Sequence, residues 1–435
     1  MSFRGKVWVL LISGIIGTYA LVGSMPFVGR ILTTTEAQQP INDPGAQLRI
    51  VESVLQHIQN DYVDDPNMEK VRLGALRGLA GGLDPYSSFL TADQVKEYQN
   101  AKNSGKASIG AEFSQVSGYL YIVSTIKGSP ADAAGLKAGD VIEYIDGKAT
   151  RDISLYDAKA LVAGQPGTQV ALRVLRSGEK PQIIKITRGT YKVPTADSRV
   201  EAGKTGVIKV YSLEGGESAD IKNQIQNLEK QGVQKIVLDL RGVAAGSLDE
   251  GVAVANLFIG DGDLAKVIGR DNKVIKNYAA DPSKKVFDGD VVALIDLGTA
   301  GAGEVVASAI AERKRGDVVG ERSFGAGTEQ QLFTLRSGEG LLLTTAKWAS
   351  PSGVPFLGDD RATMGVKPTV EVKRPDTPEP LEVEQLIDQN NQQTSEPQTS
   401  NTPNVKPDVK KPAPEDLQLK KAIELLQAKA AKASA

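Results

Sequence analysis

The sequence has no cysteine and a single histidine in 435 residues. The first absence excludes disulfides, a thiolate zinc site and a cysteine nucleophile. The second excludes a metal centre built from several histidines. It also leaves only His57 for a Ser-His-Asp triad, and that residue lies in the helically spaced stretch "VESVLQHIQNDYV". A lone helical histidine reads as a surface or packing residue. An excess of either charge is missing too: Lys and Arg number 51 against 53 Asp and Glu, for a formal net charge of −2. A nucleic-acid partner would require a basic face that displaces counterions, so none is expected. No spaced Asp/Glu motif announces an oxygen-ligand site, so neither metal nor cofactor is expected.

What is present suggests two or three domains and a folded chain, 40% hydrophobic and 24% charged. Arg4 and Lys6 precede a charge-free stretch from Val7 to Val28. About 20 apolar residues span a bilayer, and a cleaved signal would have a shorter core and an A-x-A-like site, which "TTTEAQQ" does not offer. Residues 1–30 are therefore read as a membrane anchor or signal, with the anchor favoured. The remainder is then expected on the extracytoplasmic side, periplasmic or at the cell surface. A polar linker, 31–46, leads to a helical segment, 47–104. There "QLRIVESVLQHIQNDYVD" and "MEKVRLGALRGLAGGL" carry helical apolar spacing, and "LDPYSSFL" reads as a turn into a helix near Thr91. At the other end, 376–413 is rich in Pro, Gln, Asn and charge and reads as a disordered linker. The last piece, 414–435, returns to helical spacing and is expected either to dock on a partner or to fray.

Between these ends the texture changes twice. From 105 to 190 short apolar strands alternate with glycine-rich turns, as in "SPADAAGLKAGDVIEYIDG". A short helix over Ala131–Ala134, a strand over Val141–Ile145 and a tight turn at Asp146-Gly147 are predicted. This stretch resembles a PDZ domain. The resemblance implies that the loop at "SIGAEF" holds a peptide's C-terminal carboxylate on backbone N–H groups. The peptide would add as a strand beside Ile109, Gly110, Ala111, Glu112 and Phe113, with "SLYDAKALV" as the opposite wall.

From 191 to 375 strands and helices alternate, which implies a mostly parallel sheet with covering helices. Ligand sites in such folds lie beyond the carboxyl ends of the strands, where "RGVAAG", "LGTAGAG" and "SFGAGTEQ" fall. With "DYVD", "LDPYSSFL", "IVLDLRG", "VVGERSFGAGTEQQ", "TTAKWASPSG" and "GVKPTVEV" in this order, the chain resembles the carboxyl-terminal processing, or tail-specific, proteases over about Gln47 to Val372. The resemblance implies a multidomain α/β and α+β protein: a helical segment, a PDZ domain and a core of the ClpP/crotonase-like type. It also implies a serine peptidase with a lysine base and a supporting glutamine.

The matching positions depart from that chemistry. The family turn reads G-S-A-S-A-S-E with the middle serine as nucleophile, whereas here it reads Gly298-Thr299-Ala300-Gly301-Ala302-Gly303-Glu304. Gly301 stands at the nucleophile position. The family's F-G-K-G appears as Phe324-Gly325-Ala326-Gly327, with Ala326 at the base position. Gln330 matches the supporting glutamine. The expectation is a membrane-anchored, extracytoplasmic PDZ protein with a degenerate protease core and no functional catalytic residue. Its expected partners are polypeptide C-terminal tails or an active protease relative, with the membrane reached through the anchor and oligomerisation left open. The alternative is an active serine-type endopeptidase with an unusual or relocated nucleophile, for which Thr299 is the hydroxyl of the turn.

Overall fold

The structure is a computed structural model that describes residues 44–101, 105–116, 118–151, 153–359, 363–374 and 415–433. Two compact units divide between Ala75 and Leu76. The first contains helix α1 (Pro44–Asp61) and most of α2 (Met68–Gly81). Glu69 in the first turn of α2 suits the positive end of the helix dipole. The expected anchor, residues 1–30, lies outside the described residues. Among the described residues no helix is long and apolar enough to cross a membrane. The longest, α1, has 18 residues. At about 1.5 Å per residue it falls short of the roughly 30 Å hydrocarbon core, and Arg49, Glu52 and Asp61 interrupt it. The expected membrane-anchored, extracytoplasmic placement is corrected accordingly.

In the second unit the chain turns at Asp84. Its Oδ1 accepts the N–H groups of Tyr86 at 2.7 Å and Ser87 at 2.9 Å. A buried strand, β1 (Ser88–Leu90), follows, and then α3 (Ala92–Gln99), whose Thr91 forms a capping box with Gln94. The sequence pattern gives the turn and the helix; the three-residue strand is too short to carry a period.

The PDZ-like stretch forms an antiparallel sheet with order β2-β3-β4-β6-β7. Its elements are β2 (Ala111–Val116), β3 (Tyr119–Thr125), α4 (Pro130–Ala133), β4 (Val141–Ile145), β5 (Lys148–Ala149), α5 (Leu155–Val162), β6 (Gln169–Leu175) and β7 (Gln182–Thr187). Proline at the start of α4 sets its beginning one residue before the expected one. Asp146 and Gly147 both have positive φ, 48° and 77°, as a type I′ hairpin turn demands. Ser154 caps α5, and Leu155, Ala158 and Val162 face inward at helical spacing.

The core begins with β8 (Asp197–Glu201), β9 (Thr205–Lys209), α6 (Glu217–Lys230), β10 (Lys235–Asp239), α7 (Leu248–Asn256), β11 (Asp263–Ile268) and β12 (Val274–Ala279). It continues with β13 (Asp290–Ile295), α8 (Ala302–Glu312), β14 (Gly316–Gly320), β15 (Thr328–Thr334), β16 (Gly340–Ala349), β17 (Val370–Glu371) and α9 (Leu417–Ala433). The main sheet runs β17-β14-β13-β10-β9-β8 and is parallel except for β8. Its near-continuous runs, such as Ile236 to Leu238 and Val291 to Ile295, are buried, as a sheet covered on both faces requires. A second, antiparallel sheet of β1, β16, β11, β12 and β15 does not appear in the simple alternation read from the sequence.

Helix α9 covers the outer face of the parallel sheet. Ala422 and Leu426 are fully buried against Val207, Val237, Val292, Leu294 and Val319. Gln418 is buried as well: its Nε2 donates to the Val372 carbonyl at 2.8 Å, and its Oε1 accepts from Arg241 at 3.1 Å. Arg241 also grips Asp416 through two bonds of 2.9 and 2.8 Å. The terminal helix thus docks on its own chain, where partner docking or fraying was expected. Leu426→Ala is expected to destabilise the protein by about 2 to 5 kcal/mol, the usual range for a leucine that leaves a core cavity. A lower urea midpoint with an unchanged slope checks it.

Candidate active site and tail-binding groove

The turn after β13 is organised by two buried side chains. Asp296 accepts the N–H groups of Gly242 and Gly298, both at 2.9 Å, and pairs with Arg374 at 3.1 Å. Thr299 accepts the Asp296 N–H at 3.0 Å and donates to the Leu240 carbonyl at 3.0 Å. Its hydroxyl is fully buried and engaged on both sides, so it locks the turn. Gly301 then adopts φ 52° and ψ −109° immediately before α8. This is a strand-to-helix turn of the strained kind that holds a nucleophile up at the head of a helix. A side chain there costs about 1 to 3 kcal/mol, and glycine removes that strain.

Glu304, in the first turn of α8, gathers the surrounding loops. Its Oε2 accepts Gly301 N–H at 2.8 Å and Ala326 N–H at 2.9 Å. Its Oε1 accepts Gly325 N–H at 2.7 Å and the Ser323 hydroxyl at 2.5 Å. The two positions that the sequence aligned with a nucleophile and a base, 25 residues apart, therefore meet at one oxygen. Neither carries a reacting group. The Ala326 methyl lies in an apolar cluster with Ala244, Leu297, Ala300, Phe324 and Val123 of β3. A PDZ strand is thus seated directly on this part of the core. Gln330 is present too, but its amide donates to Thr328 at 2.6 Å and Thr344 at 3.3 Å. Thr344 in turn donates to Asp84 at 3.0 Å, which explains why the "LDPY" turn belongs beside the site.

Trp348 is a residue the sequence reading passed over. A Cβ built on Gly301 would lie 3.4 Å from Cζ3 of its indole, and one on Gly327 would lie 2.9 Å from its Cε3. The ring therefore spans the floor between the two turns. Glu304 was missed as well, although it closes the quoted turn motif. A carboxylate among glycines and alanines at a helix start was the available signal. Among the described residues no group of three or more His, Asp or Glu side chains is placed to hold a metal ion.

The groove residues lie at the edge of the PDZ sheet. Ile109 and Gly110 form the loop into β2, and Ala111, Glu112 and Phe113 open that strand. The side chains of Ile109, Ala111 and Phe113 are buried with Leu155, Ala158 and Val162 of α5, so they brace the groove from below. The carbonyls of Ile109 and Gly110 turn inward, accepting from Ala131 N–H at 2.8 Å and Ile126 N–H at 2.9 Å. Among the described residues their own N–H groups have no acceptor. Gly110 has φ 76°, and a Cβ there would lie 2.2 Å from that of Ser129. Glu112 reaches across to Lys159 of α5 at 3.7 Å, an exposed pair of little energetic weight.

Residues 204–372 match the model of peptidase family S41, and residues 121–176 match a PDZ domain model. A probable CtpA-like serine protease of Staphylococcus aureus (strain MRSA252) is 31% identical over 367 residues, 84% of this chain and 72% of the relative. This chain belongs to the carboxyl-terminal processing proteases. The carboxy-terminal processing protease CtpA of Bacillus subtilis (strain 168) is 32% identical over 322 residues, 74% of this chain and 68% of the relative. Among solved structures, a photosystem II D1 C-terminal processing protease superposes with a TM-score of 0.62 at 27% identity, covering 75% of this chain and 93% of the other. The mixed α/β, PDZ-containing architecture expected from the sequence is thus that of this peptidase family.

Burial pushes the Glu304 carboxyl up to about 7, while bonds from Ser323, Ala326, Gly301 and Gly325 oppose the rise. A folded-state value above the ordinary 4.5 means that the folded state holds this proton more tightly. The stability it contributes is full below about 4.5 and is lost as pH rises through about 7. Wild type should therefore lose more stability than Glu304→Gln between pH 4.5 and 7.5, by up to about 3 kcal/mol. Denaturant midpoints across that range check it.

Proposed function

We propose that this chain is a carboxyl-terminal processing protease relative that binds polypeptide C-terminal tails, or an active relative, without cleaving them. One observation carries the first half. Gly301 and Ala326 meet at a single oxygen of Glu304, and neither offers an atom to attack a carbonyl or accept a proton. Serine-lysine chemistry needs both, and losing either member of such a couple removes most nucleophilic catalysis. A relocated nucleophile finds no support at Thr299, whose hydroxyl is buried and donates to the Leu240 carbonyl. Tail binding needs neither lost side chain. Its support is the edge strand β2, the N–H groups of Ile109 and Gly110 and the helical wall α5.

The purified chain is expected to be inert in a peptidase assay run beside an active relative, and unlabelled by a serine-directed fluorophosphonate. Cleavage by homogeneous protein that disappears in Thr299→Val would overturn the non-cleaving reading. Binding is checked separately by calorimetry with peptides that end in apolar residues. The free acids should bind with Kd of about 1 to 100 μM. C-terminally amidated copies, which lack the charge that the N–H groups hold, should bind at least about tenfold more weakly. Equal affinity of acid and amide would sink the tail-binding reading.

A further inference from the structure

The groove between β2 and α5 is not open along its whole length. A tail with its carboxylate at Ile109 and Gly110 runs antiparallel to β2. Its last residue then lies beside Ala111, the residue two before it beside Phe113, and the residue four before it beside Gln115. At that far end the two walls are already joined, because Gln115 Nε2 donates to the Ile153 carbonyl, just ahead of α5, at 2.8 Å.

The chain's own segment closes the same end from outside. The Tyr86 hydroxyl lies 3.2 Å from that of Ser114 on β2, and the Tyr86 ring packs on the PDZ core. Gln94 donates to Asp157 in the first turn of α5 at 2.6 Å, and the Tyr156 hydroxyl donates back to the Gln94 carbonyl at 3.1 Å. The segment from Tyr86 to Gln94 therefore touches both walls at the far half of the groove. Beyond the carboxylate loop the flanks of the walls are joined by Ala107 and Gly164, which exchange backbone bonds of 2.7 and 3.0 Å. Between β2 and α5 themselves the polar link near that loop is the exposed Glu112–Lys159 pair, which a ligand displaces at little cost.

We infer that the groove is a short site that takes only the last two or three residues of a free polypeptide C-terminus, its far half being filled by this chain's own Tyr86–Gln94 segment. The inference rests on the tail-binding reading above. Upstream residues of a ligand then add almost nothing. Selectivity falls on the terminal carboxylate and the side chains beside Ala111 and Phe113, and a folded protein needs only about three frayed residues to be held.

Calorimetry on the full chain tests it with N-acetylated free-acid peptides of three, six and nine residues that share the last three, Ala-Ile-Val. The wild type is expected to bind all three with Kd values within about twofold of one another. Gln115→Ala, which unlinks the walls, and Tyr86→Phe, which removes only the hydroxyl on Ser114, are expected to leave the tripeptide unchanged. At least one of them should gain about tenfold or more for the six-residue peptide, as strand pairing extends into the opened half. A wild-type gain of tenfold or more from three to six residues would overturn the short groove while leaving tail binding intact. No gain with length in either variant would overturn the assignment of the closure to these contacts. If no peptide binds the wild type, the tail-binding reading itself fails and this inference with it.

Discussion

A buried carboxylate with four donors is the point at which the core's loops meet. Glu304 sits in the first turn of α8 and draws in Gly301 from the preceding turn and Ser323, Gly325 and Ala326 from the loop after β14. An unpaired charge in a dry interior costs several kcal/mol, so the group is tolerable only because both oxygens are saturated. The dependence is mutual. Those N–H groups would be buried without partners if the carboxylate were removed. The loops consequently keep a tight strand-to-helix turn with glycine at 301 and alanine at 326.

That persistence bears on how the turn keeps its shape with glycine at 301 and alanine at 326. Asp296 and Thr299 hold the turn from one side and Glu304 from the other, and none of the three contacts depends on a side chain at 301 or 326. Glycine at 301 even relieves the backbone strain that a nucleophile at φ 52° would impose. The apolar Ala326 lets Val123 of the PDZ sheet share a cluster with the core. A lysine there would have brought a charge into that contact. On the reading proposed above, what remains useful is the open edge of the PDZ sheet, where binding rests on main-chain groups.

The outer face of the parallel sheet follows a similar logic. Its valines and leucines require a cover, and α9 supplies it across the stretch that separates Arg374 from Glu415. Arg241 links this cover to the loop beside the active-site turn, since it holds Asp416 and Asp239 while its neighbour Gly242 donates to Asp296.

By itself the sequence determined the elements and the residues that stand at 301 and 326. Helical spacing in 155–162, the Asp146-Gly147 turn and the buried runs of β10 and β13 are local properties, set by periodicity and by residues that tolerate positive φ. The 25-residue spacing that aligned Gly301 and Ala326 is also written along the chain. Tertiary structure alone decided that these two positions meet at one oxygen and that Trp348 underlies them. It alone decided that β1 joins a second sheet, that α9 covers its own core, and that Tyr86 and Gln94 reach the groove. Each of these is a contact between segments tens to hundreds of residues apart. Such contacts depend on which faces the folded sheets and helices must bury against one another, and no local pattern encodes that choice.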